Sequence, residues 1–423
     1  MSEEWKRRLI SILFTLAIVA VIGLVMAPLP LWTPAPTPTL EPTATPKPTP
    51  TVVPDVTVCS TGCDFTTIRE AIGNARDGDV IAVLDGIHTE QGVTVNRDVI
   101  IVGEAAGGTI VQGHSEPDQA TESVFVIAEG ATVSLRDLTI RHGNPESGTE
   151  SGGAVSNRGT VTLERCLITE NTASAGGGLH NYGNMTLINS TVSNNVADGT
   201  GAGYTGCGTG GGIKVENGPL VVLNSTISGN SSQGNGGGIF VGCKGTLDLR
   251  NSTISGNDAG GAGGGGICVR GAASVTASTV VNNRAAQTGG GIYIRGSGES
   301  GLVRGWLDYS STIIAGNSTG STYCCADCML GEYSTLGINA NNLVEDGSCS
   351  PAFSGDPLVG PLGVNGGDTR THALLPDSPA IDALSAVSCT LTLDQRGFAR
   401  PVELRSSDTP CDVGAYEVQQ IED

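Results

Sequence analysis

A short sequence motif that recurs along the middle of this chain constrains its fold more than any other feature. The segments LITEN, TVSNN, TISGN, TISGN, TVVNN and IIAGN end at Asn171, Asn195, Asn230, Asn257, Asn283 and Asn317. Without the visible insertions around Cys207 and Glu299, their spacing returns to roughly 24–26 residues. A fixed period in this range is typical of a solenoid, in which each repeat packs only on its neighbours.

Each repeat also carries a run of glycines followed by an alternating segment. The runs GGGL and GGGI end at Leu179, Ile213, Ile239, Ile267 and Ile292. Alternation after the run points Ile213 and Val215 inward and Lys214 outward. No helical period runs through the repeats. The pattern therefore predicts an all-β fold, a right-handed parallel β-helix over residues 56–323 with three short strands per coil and no helices between them.

The stacking of coils explains why some positions of the repeat keep the same residue type while others vary. Equivalent apolar residues are predicted to form an interior stack of Leu163, Leu187, Val222, Leu249 and Val275. The recurring Asn is expected at a left-handed corner, where its amide bonds to the backbone or to the next Asn. Glycine serves where φ is positive or where backbones approach closely. The sequons at Asn189, Asn224 and Asn251 arise from the same repeat, so they are not taken as glycosylation sites.

Both ends of the predicted solenoid are expected to be capped. Thr67 and Glu70 form a capping box, and Ile68, Ala71 and Ile72 follow at helical spacing. This amphipathic helix would cover the open first coil, whose strands otherwise invite edge pairing. The period fades after Asn317, which predicts a loop-rich, disulfide-tied C-terminal cap over residues 324–423.

The N-terminal residues predict a membrane anchor. Three basic residues precede an uncharged stretch from Leu9 to Ala27, which at 1.5 Å per residue approaches the thickness of a bilayer. We expect residues 1–8 in the cytoplasm, a transmembrane helix over 9–27 and an extracellular remainder. A cleaved signal peptide is the alternative. Ten prolines within residues 28–55 predict an extended stalk that holds the folded part away from the membrane.

Twelve cysteines in an exported chain predict disulfide bonds. We expect Cys59 to pair with Cys63, Cys389 with Cys411, and Cys207 with Cys243. A set of four, Cys324, Cys325, Cys328 and Cys349, resembles a zinc site in its spacing, but two local bridges are the preferred interpretation. Cys166 and Cys268 fall inside runs that resemble strands. No metal site is assigned.

The formal net charge of −20 restricts the partners of the chain. A surface this negative repels nucleic acid and anionic polymers unless cations intervene, so DNA and RNA binding are not expected. The same charge is compatible with Ca²⁺ binding, although no cofactor is assigned.

Three stretches resemble known families. FTTIREAIGNARDGDVIAVLDGIHTEQGVTVNRDVIIVGE, beginning at Phe65, resembles the opening coils of pectin methylesterases and other members of the pectate-lyase-like superfamily. The paired GGGI and TISGN lines resemble repeats of bacterial polymorphic outer membrane proteins. GGDTRTHALLPDSPAID, DQRGFARP and CDVGAYE near the C-terminus are similar to choice-of-anchor Q domain proteins. The resemblance implies the β-helix fold over about residues 56–418, whereas it implies no single activity.

No complete catalytic motif accompanies this resemblance. Pectin methylesterases carry paired Asp residues, a Gln and an Arg-Pro-Trp, and neither Asp137 nor Trp306 stands in that context. A polysaccharide lyase needs a base and nearby carboxylates. Arg141 with His142 is a candidate base, and Lys214 with Glu216 is a candidate base with its carboxylate, although such pairs are more often ordinary surface residues.

Outward positions after the glycine runs predict a ligand-binding face instead. Aromatic and basic residues recur there, which suits sugar rings through stacking and hydrogen bonding. The predicted face consists of His180, Tyr182, Lys214, Phe240, Arg270, Tyr293 and Arg295.

The sequence thus predicts a membrane-anchored extracellular β-helix that binds glycans or other surfaces. A carbohydrate-active enzyme of the same fold, either a polysaccharide lyase or a carbohydrate esterase, is the main alternative. A structural envelope protein without a specific ligand is the second alternative.

Overall fold

The protein is described by a computed structural model that covers residues 53–84, 86–104, 108–146, 152–199, 208–296, 304–320, 325–385, 387–402 and 411–420. The described chain forms a parallel β-helix in which successive coils pair strand on strand. Its three parallel sheets run along the solenoid, and a separate antiparallel hairpin follows them.

Sheet 1 contains eighteen strands, since most coils contribute two strands to it. These strands are Val56–Val58, Val80–Val83, Val93–Val95, Val99–Gly103, Phe125–Ile127, Thr132–Arg136, Val155–Asn157, Thr160–Glu164, Leu179–Asn181, Asn184–Ile188, Ile213–Leu223, Ile239–Arg250, Ile267–Val269, Ala272–Thr276, Ile292–Ile294, Gly305–Ser310, Cys328–Leu330 and Ser334–Ala340.

Sheets 2 and 3 supply the shorter strands of each coil. Sheet 2 comprises Ile87–Thr89, Ile110–Gln112, Thr139–Arg141, Leu167–Thr169, Thr191–Ser193, Thr226–Ser228, Thr253–Ser255, Thr279–Val281, Ile313–Ala315 and Leu343–Val344. Sheet 3 comprises Thr172–Ala173, Val196–Ala197, Ser231–Ser232, Asp258–Ala259, Arg284–Ala285 and Ser318–Thr319. The hairpin pairs Val359–Gly363 with Thr371–Leu374.

The predicted interior stack is confirmed by the register of sheet 1. Leu163 pairs with Leu187, Leu187 with Val222, Val222 with Leu249, and Leu249 with Val275. All five side chains are fully buried. Sheet 2 adds a parallel stack that includes Ile168, Val192, Ile227 and Ile254, which are also fully buried. The hydrophobic core is therefore one continuous column along the solenoid axis.

The recurring Asn residues form a buried ladder between sheets 2 and 3. Asn257, for example, donates from its amide nitrogen to Asn283 Oδ1 at 2.9 Å and to the carbonyl oxygen of Ile227 at 3.0 Å. Its own Oδ1 accepts from the backbone and the side-chain amide of Asn230. The same bonds run from Asn171 to Asn317, where Asp327 replaces Asn as the last acceptor.

The left-handed corner lies one residue earlier than the sequence pattern suggested. Asn194, Gly229, Gly256 and Asn282 have φ between 55° and 64°, and each directly precedes a ladder Asn. The ladder position therefore requires the amide group of Asn and not its tolerance of a left-handed backbone. The amide supplies the donors and the acceptor that a buried position between two coils needs. At the opposite corner of each coil, Asn189, Asn224 and Asn251 do adopt positive φ.

A seven-residue helix, α1 (Ile68–Asn74), covers the first coil as predicted. Thr67 is its N-cap and accepts a hydrogen bond from the Glu70 backbone amide at 3.2 Å. Ile68, Ala71 and Ile72 are buried against the first strands. The Glu90 carboxylate also accepts hydrogen bonds from the backbone amides of Ile68 and Arg69, so the helix is tied to the second coil.

The solenoid continues beyond the predicted boundary at residue 324. Cys328–Leu330, Ser334–Ala340 and Leu343–Val344 each pair in parallel with the preceding coil. The period fades in the sequence because this last coil replaces the glycine run and the TISGN line with cysteine-rich segments. Its disulfide, Cys328–Cys349, joins the first strand of the coil to the segment that follows it.

The remaining described residues lie along the side of the solenoid. We call the described residues within 355–420 the C-terminal strap, because they run over the outer surface of sheet 2. Gln395 donates to Thr226 Oγ1 at 2.9 Å and accepts from Thr253 Oγ1 at 2.6 Å, so it bridges two coils. The Gly414 amide donates to the carbonyl oxygen of Ser311 at 2.9 Å. Ile313 and Val281 form a second core with the strap.

The motifs that resemble choice-of-anchor Q proteins form the interior of this strap. Asp394 and Arg396 make an ion pair of 2.8 Å with both side chains fully buried. The Arg396 guanidinium lies 3.6 Å from the centre of the Tyr416 ring. Gly367, at φ 75°, packs against the Cα of Arg396 so closely that a Cβ would lie 2.6 Å from it. These motifs therefore have an architectural role in this chain.

Two further disulfides form as expected, namely Cys59–Cys63 and Cys389–Cys411. Cys207 and Cys324 lie outside the described residues, so their predicted bridges stay predictions. Cys166 and Cys268 are buried thiols, and burial raises the pKa of each to about 12. Cys268 lies inside a strand, whereas Cys166 lies at the corner before Leu167.

The predicted anchor and stalk, residues 9–27 and 28–55, fall almost wholly outside the described residues. In the part of the chain that the structure describes, no helix has the length and apolar character needed to cross a bilayer.

Candidate functional site

The predicted ligand-binding face follows one column of sheet 1. His180 pairs with Lys214, Lys214 with Phe240, Phe240 with Cys268, and Cys268 with Tyr293. The sequence thus predicted correctly which residues stand in line. These side chains alternate with interior residues such as Ile213 and Val215.

The prediction that this whole column is exposed is wrong. His180 is 0% exposed, Lys214 4% and Phe240 3%. Tyr182, Arg270 and Tyr293 are half-buried, and only Arg295 among the predicted residues is exposed. The column therefore offers no continuous surface for a ligand.

Glycine turns explain this burial. Gly176, Gly236, Gly264 and Gly289 all have positive φ, and each lies four residues before an outward side chain. A Cβ at Gly236 would lie 2.9 Å from the Cβ of Phe240, and a Cβ at Gly264 would lie 2.6 Å from that of Cys268. The glycine run thus folds back over the outward residue that follows it, which strand alternation alone does not predict.

The structure brings four predicted residues together around His180. The His180 and Tyr182 rings lie 4.4 Å apart, and the Arg158 guanidinium lies 4.8 Å from the Tyr182 ring centre. Lys214 Nζ forms an ion pair of 2.9 Å with Glu216 Oε2. Burial lowers the pKa of His180 well below its usual value, and the charges of Lys214 and Arg158 lower it further. A neutral imidazole could accept a proton, but this one is closed to solvent.

The other catalytic candidates are held in structural contacts. Arg141 donates twice to Gln112 Oε1, at 3.0 and 2.9 Å. His142 is buried, with Nδ1 3.1 Å from the His114 carbonyl oxygen and Nε2 3.2 Å from Glu170 Oε2. Both residues tie neighbouring coils together. They do not lie beside Lys214 and Glu216 in a shared centre.

An open groove lies instead on sheet 2, beside the C-terminal strap. Its volume is about 900 Å³, and it runs across four consecutive coils. Sheet 2 forms the floor, and the wall is formed by the loop and hairpin of the strap from Pro361 to His372. Since neighbouring strands are roughly 4.8 Å apart, the floor extends about 14 Å from Thr169 to Ser255.

Hydroxyl groups line the floor of this groove. Thr169, Thr191, Ser193 and Ser228 lie on the outward side of sheet 2, while Ile168, Val192 and Ile227 point into the core. Within the described residues, these four hydroxyls have no hydrogen-bond partner in the protein. Each hydroxyl can donate one hydrogen bond and accept two. The groove thus presents a regular array of free polar groups.

The rim of the groove combines charge with apolar surface. Val364 is 80% exposed, and Pro361 and Leu362 lie beside it. The Arg370 backbone is fixed, because its carbonyl oxygen accepts from Thr226 Oγ1 at 2.6 Å, while its side chain is exposed. Asp368 accepts from the Asn189 amide at 3.1 Å. The rim can therefore contact both the hydroxyl groups and the carbon faces of a ligand.

Sequence reasoning missed this groove for an identifiable reason. The TIS lines contain the floor hydroxyls, but nothing in the repeat shows that the C-terminal strap folds back beside them. The threonines at the first strand position, such as Thr226 and Thr253, are covered by the strap. In the described part of the chain, no cluster of three or more His, Cys, Asp or Glu side chains is arranged to hold a metal ion.

Comparison with known proteins supports the fold. A family model for a right-handed β-helix region matches residues 119–300, in agreement with the predicted hand. No curated protein matches the chain.

Solved structures with similar folds include pectin methylesterase from carrot, with 14% identity, a TM-score of 0.39 and coverage of 69% of this chain and 91% of that protein. Pectate lyase Pel9A has 14% identity, a TM-score of 0.38 and coverage of 83% and 90%. Pectin methylesterase PemA from Erwinia chrysanthemi has 13% identity, a TM-score of 0.34 and coverage of 69% and 93%. Values this low carry no information about activity.

Proposed function

We propose that this chain is a glycan-binding module displayed outside the cell, and that an extended, neutral polysaccharide lies in the groove between sheet 2 and the C-terminal strap. The observation that supports this most is the row of free hydroxyls across three coils of the floor. The apolar stretch over residues 9–27 and the proline-rich stretch that follows it favour surface display.

The chemistry of the groove suits a hydroxylated chain. Sugar hydroxyls exchange hydrogen bonds with Ser and Thr hydroxyls, while exposed apolar residues such as Val364 cover the carbon face of a ring. A few placed polar groups in such a cleft fix the orientation of a ligand. A ligand that follows the solenoid axis meets at least one free hydroxyl at each of the three coils that carry Thr169, Ser193 and Ser228.

The charge of the molecule favours a neutral polymer. A net charge of −20 repels polyanions such as uronate polymers at ordinary ionic strength. The groove itself is bordered by Glu170 and Asp368, with Arg370 on the strap side. We therefore expect neutral glucans, mannans or xylans to bind better than polygalacturonate.

The experiment is isothermal titration of the full-length chain with a panel of neutral oligosaccharides and with polygalacturonate. Replacement of Ser193 and Ser228 by Ala should weaken binding of the neutral ligand, by roughly 2–12-fold for each hydroxyl removed. Thr186→Val, which removes a half-exposed hydroxyl from sheet 1, is the matched control and should leave the affinity unchanged.

Four outcomes would contradict the proposal. Equal binding by the double variant and the control would place the ligand elsewhere. Absence of binding across the panel would favour a structural envelope protein. New ultraviolet absorbance from unsaturated products of polygalacturonate would favour the lyase alternative, and release of methanol from methylated pectin would favour an esterase.

A further inference from the structure

Three aromatic residues lie on the last two coils of sheet 1, away from the groove. Trp306 lies in the strand Gly305–Ser310, points outward from the sheet and is 41% exposed. Tyr333 is 48% exposed and precedes the last strand of the sheet. Tyr293 lies in the neighbouring strand Ile292–Ile294. This grouping is unusual in a chain with only 4% aromatic residues.

Two of these rings rest directly on glycines of the last coil. A Cβ at Gly337 would lie 2.5 Å from Cζ2 of Trp306, so only glycine allows the indole to lie there. A Cβ at Gly331 would lie 3.0 Å from both Cε2 and the hydroxyl oxygen of Tyr293. The Gly305 amide donates to the carbonyl oxygen of Tyr333 at 3.0 Å, so the backbone of Tyr333 is paired with the strand that carries Trp306. The Trp306 and Tyr293 rings therefore lie against the backbone of the last coil.

Polar groups of both signs border the rings. Arg295 is exposed, and no described carboxylate forms an ion pair with its guanidinium. Glu332 is also exposed, and its carbonyl oxygen accepts from the Gly296 amide at 2.9 Å. Burial raises the pKa of Tyr293, the nearby charge of Arg295 opposes this shift, and Glu332 adds to it. Both side chains therefore lie within electrostatic range of Tyr293.

We propose that Trp306, Tyr333 and Tyr293, with Arg295 and Glu332, form a second glycan site that takes one pyranose ring of a neutral chain. Flat aromatic faces stack on the carbon face of a sugar, and adjacent cationic and anionic groups hydrogen-bond its hydroxyls. This inference rests on the proposed function, because it adds a second contact for the same class of ligand.

The second site has a consequence for how the molecule acts. The groove lies on sheet 2, whereas the aromatic site lies on sheet 1. One molecule can therefore hold two chains, or two segments of one chain, at the same time. Two modest sites on one molecule bind a multivalent surface far more strongly than either does alone.

Tryptophan fluorescence isolates the aromatic site. The chain contains three tryptophans, Trp5, Trp32 and Trp306. With Trp5 and Trp32 replaced by Phe, the emission of the full-length chain reports Trp306 alone. We expect a neutral xylo- or gluco-oligosaccharide to change this emission in a saturable way, and Tyr333→Ala to weaken the apparent affinity by roughly tenfold. The double variant Ser193→Ala with Ser228→Ala should leave this signal intact.

Bridging provides the second measurement. Beads coated with the same oligosaccharide should aggregate with the wild-type chain, and aggregation should be lost when either Trp306→Ala with Tyr333→Ala or the groove double variant is used. Each of these variants should retain one binding site by titration.

The outcomes separate the two proposals. If the groove binds sugar but Trp306 emission does not change, the aromatic site is overturned and the proposed function stands. If Trp306 responds while the groove variants bind normally, the groove is overturned. If no sugar binds at either site and Trp306→Ala abolishes binding of a cell-surface protein, the aromatic cluster is a protein-docking patch. Both proposals are then overturned.

Discussion

Single amide side chains decide how the coils are held in register. Each ladder Asn satisfies donors and acceptors of two neighbouring coils in a buried position, so its removal leaves several of them without partners. Buried polar groups without partners are costly, which gives the ladder more weight than the modest net value of one hydrogen bond.

Replacement of Asn257 by Ala should lower the free energy of unfolding by about 3 kcal/mol, because both amides of Asn230 lose their bonds to Asn257 Oδ1 and the Ile227 carbonyl oxygen loses its bond from the Asn257 amide. Urea denaturation followed by circular dichroism measures this change. Asn184→Ala is the control, since Asn184 is exposed and its amide makes one long bond of 3.3 Å to Thr160. Equal losses in the two variants would show that the ladder is not a special source of stability.

The carboxyl group that ends the ladder should make stability depend on pH. Burial raises the pKa of Asp327 to about 6, whereas an unfolded Asp titrates near 3.9. The folded state then binds the proton more tightly, so this group stabilises the fold as the pH falls from 7 towards 4, and that contribution is lost as the pH rises through 6.

The comparison of wild type with Asp327→Asn isolates this effect. Burial lowers the pKa of His180 and His372, so these groups destabilise the folded state in acid and oppose Asp327. We expect the difference in unfolding free energy between wild type and variant to shift in favour of wild type between pH 7.5 and 5. A difference that stays constant over this range would show that Asp327 titrates normally.

Among the elements, the C-terminal strap depends most on glycine. Gly367 and Gly397 both adopt positive φ, at 75° and 87°. A Cβ at Gly367 would meet the backbone of Arg396, whereas nothing lies within 4 Å of a Cβ at Gly397. Both Ala variants should lose about 1–2 kcal/mol from the strained backbone, and Gly367→Ala should lose more.

Hydrogen exchange of the strap measures this difference. In Gly367→Ala, amides such as those of Gln395 and Val413 should exchange faster, because the buried Asp394–Arg396 pair is displaced. Amides of the solenoid core, such as Val222, should keep their protection. If both variants exchange alike, the close approach to Arg396 does not position the strap.

The helix that covers the first coil should protect the whole molecule from self-association. Ile68 is the first residue of this helix and is fully buried. Ile68→Asp therefore places a charge in the core and should detach the helix, at a cost of several kcal/mol. The exposed first strands then offer free backbone groups to other molecules. Sedimentation should show oligomers for Ile68→Asp but none for Gly73→Ala, whose added Cβ meets open space. A monomeric Ile68→Asp chain would contradict this role.

At the scale of the whole molecule, the sequence predicted the features that recur in every coil. It did not predict the contacts that occur once, such as those of the C-terminal strap. The interior stack, the capping helix and the alternation after the glycine runs all depend on neighbouring coils, so a single period contains the information. The strap contacts residues about 140 positions earlier, as Gln395 does with Thr253, and no local pattern encodes such a contact. The covered column, with His180 and Phe240 at its centre, was missed because the glycine turns add a layer that alternation does not include.

The C-terminal strap contacts coils that are far apart along the solenoid. Asp368 contacts Asn189, His372 contacts Ser255, Gln395 contacts Thr226 and Gly414 contacts Ser311, so each segment of the strap is placed on a particular coil. Duplication or loss of one coil between Thr191 and Ile313 would preserve every bond between equivalent strands and still misplace all later contacts of the strap. We therefore expect insertion of a whole coil before Asn189 to leave the strap contacts intact, and insertion of one after it to break them.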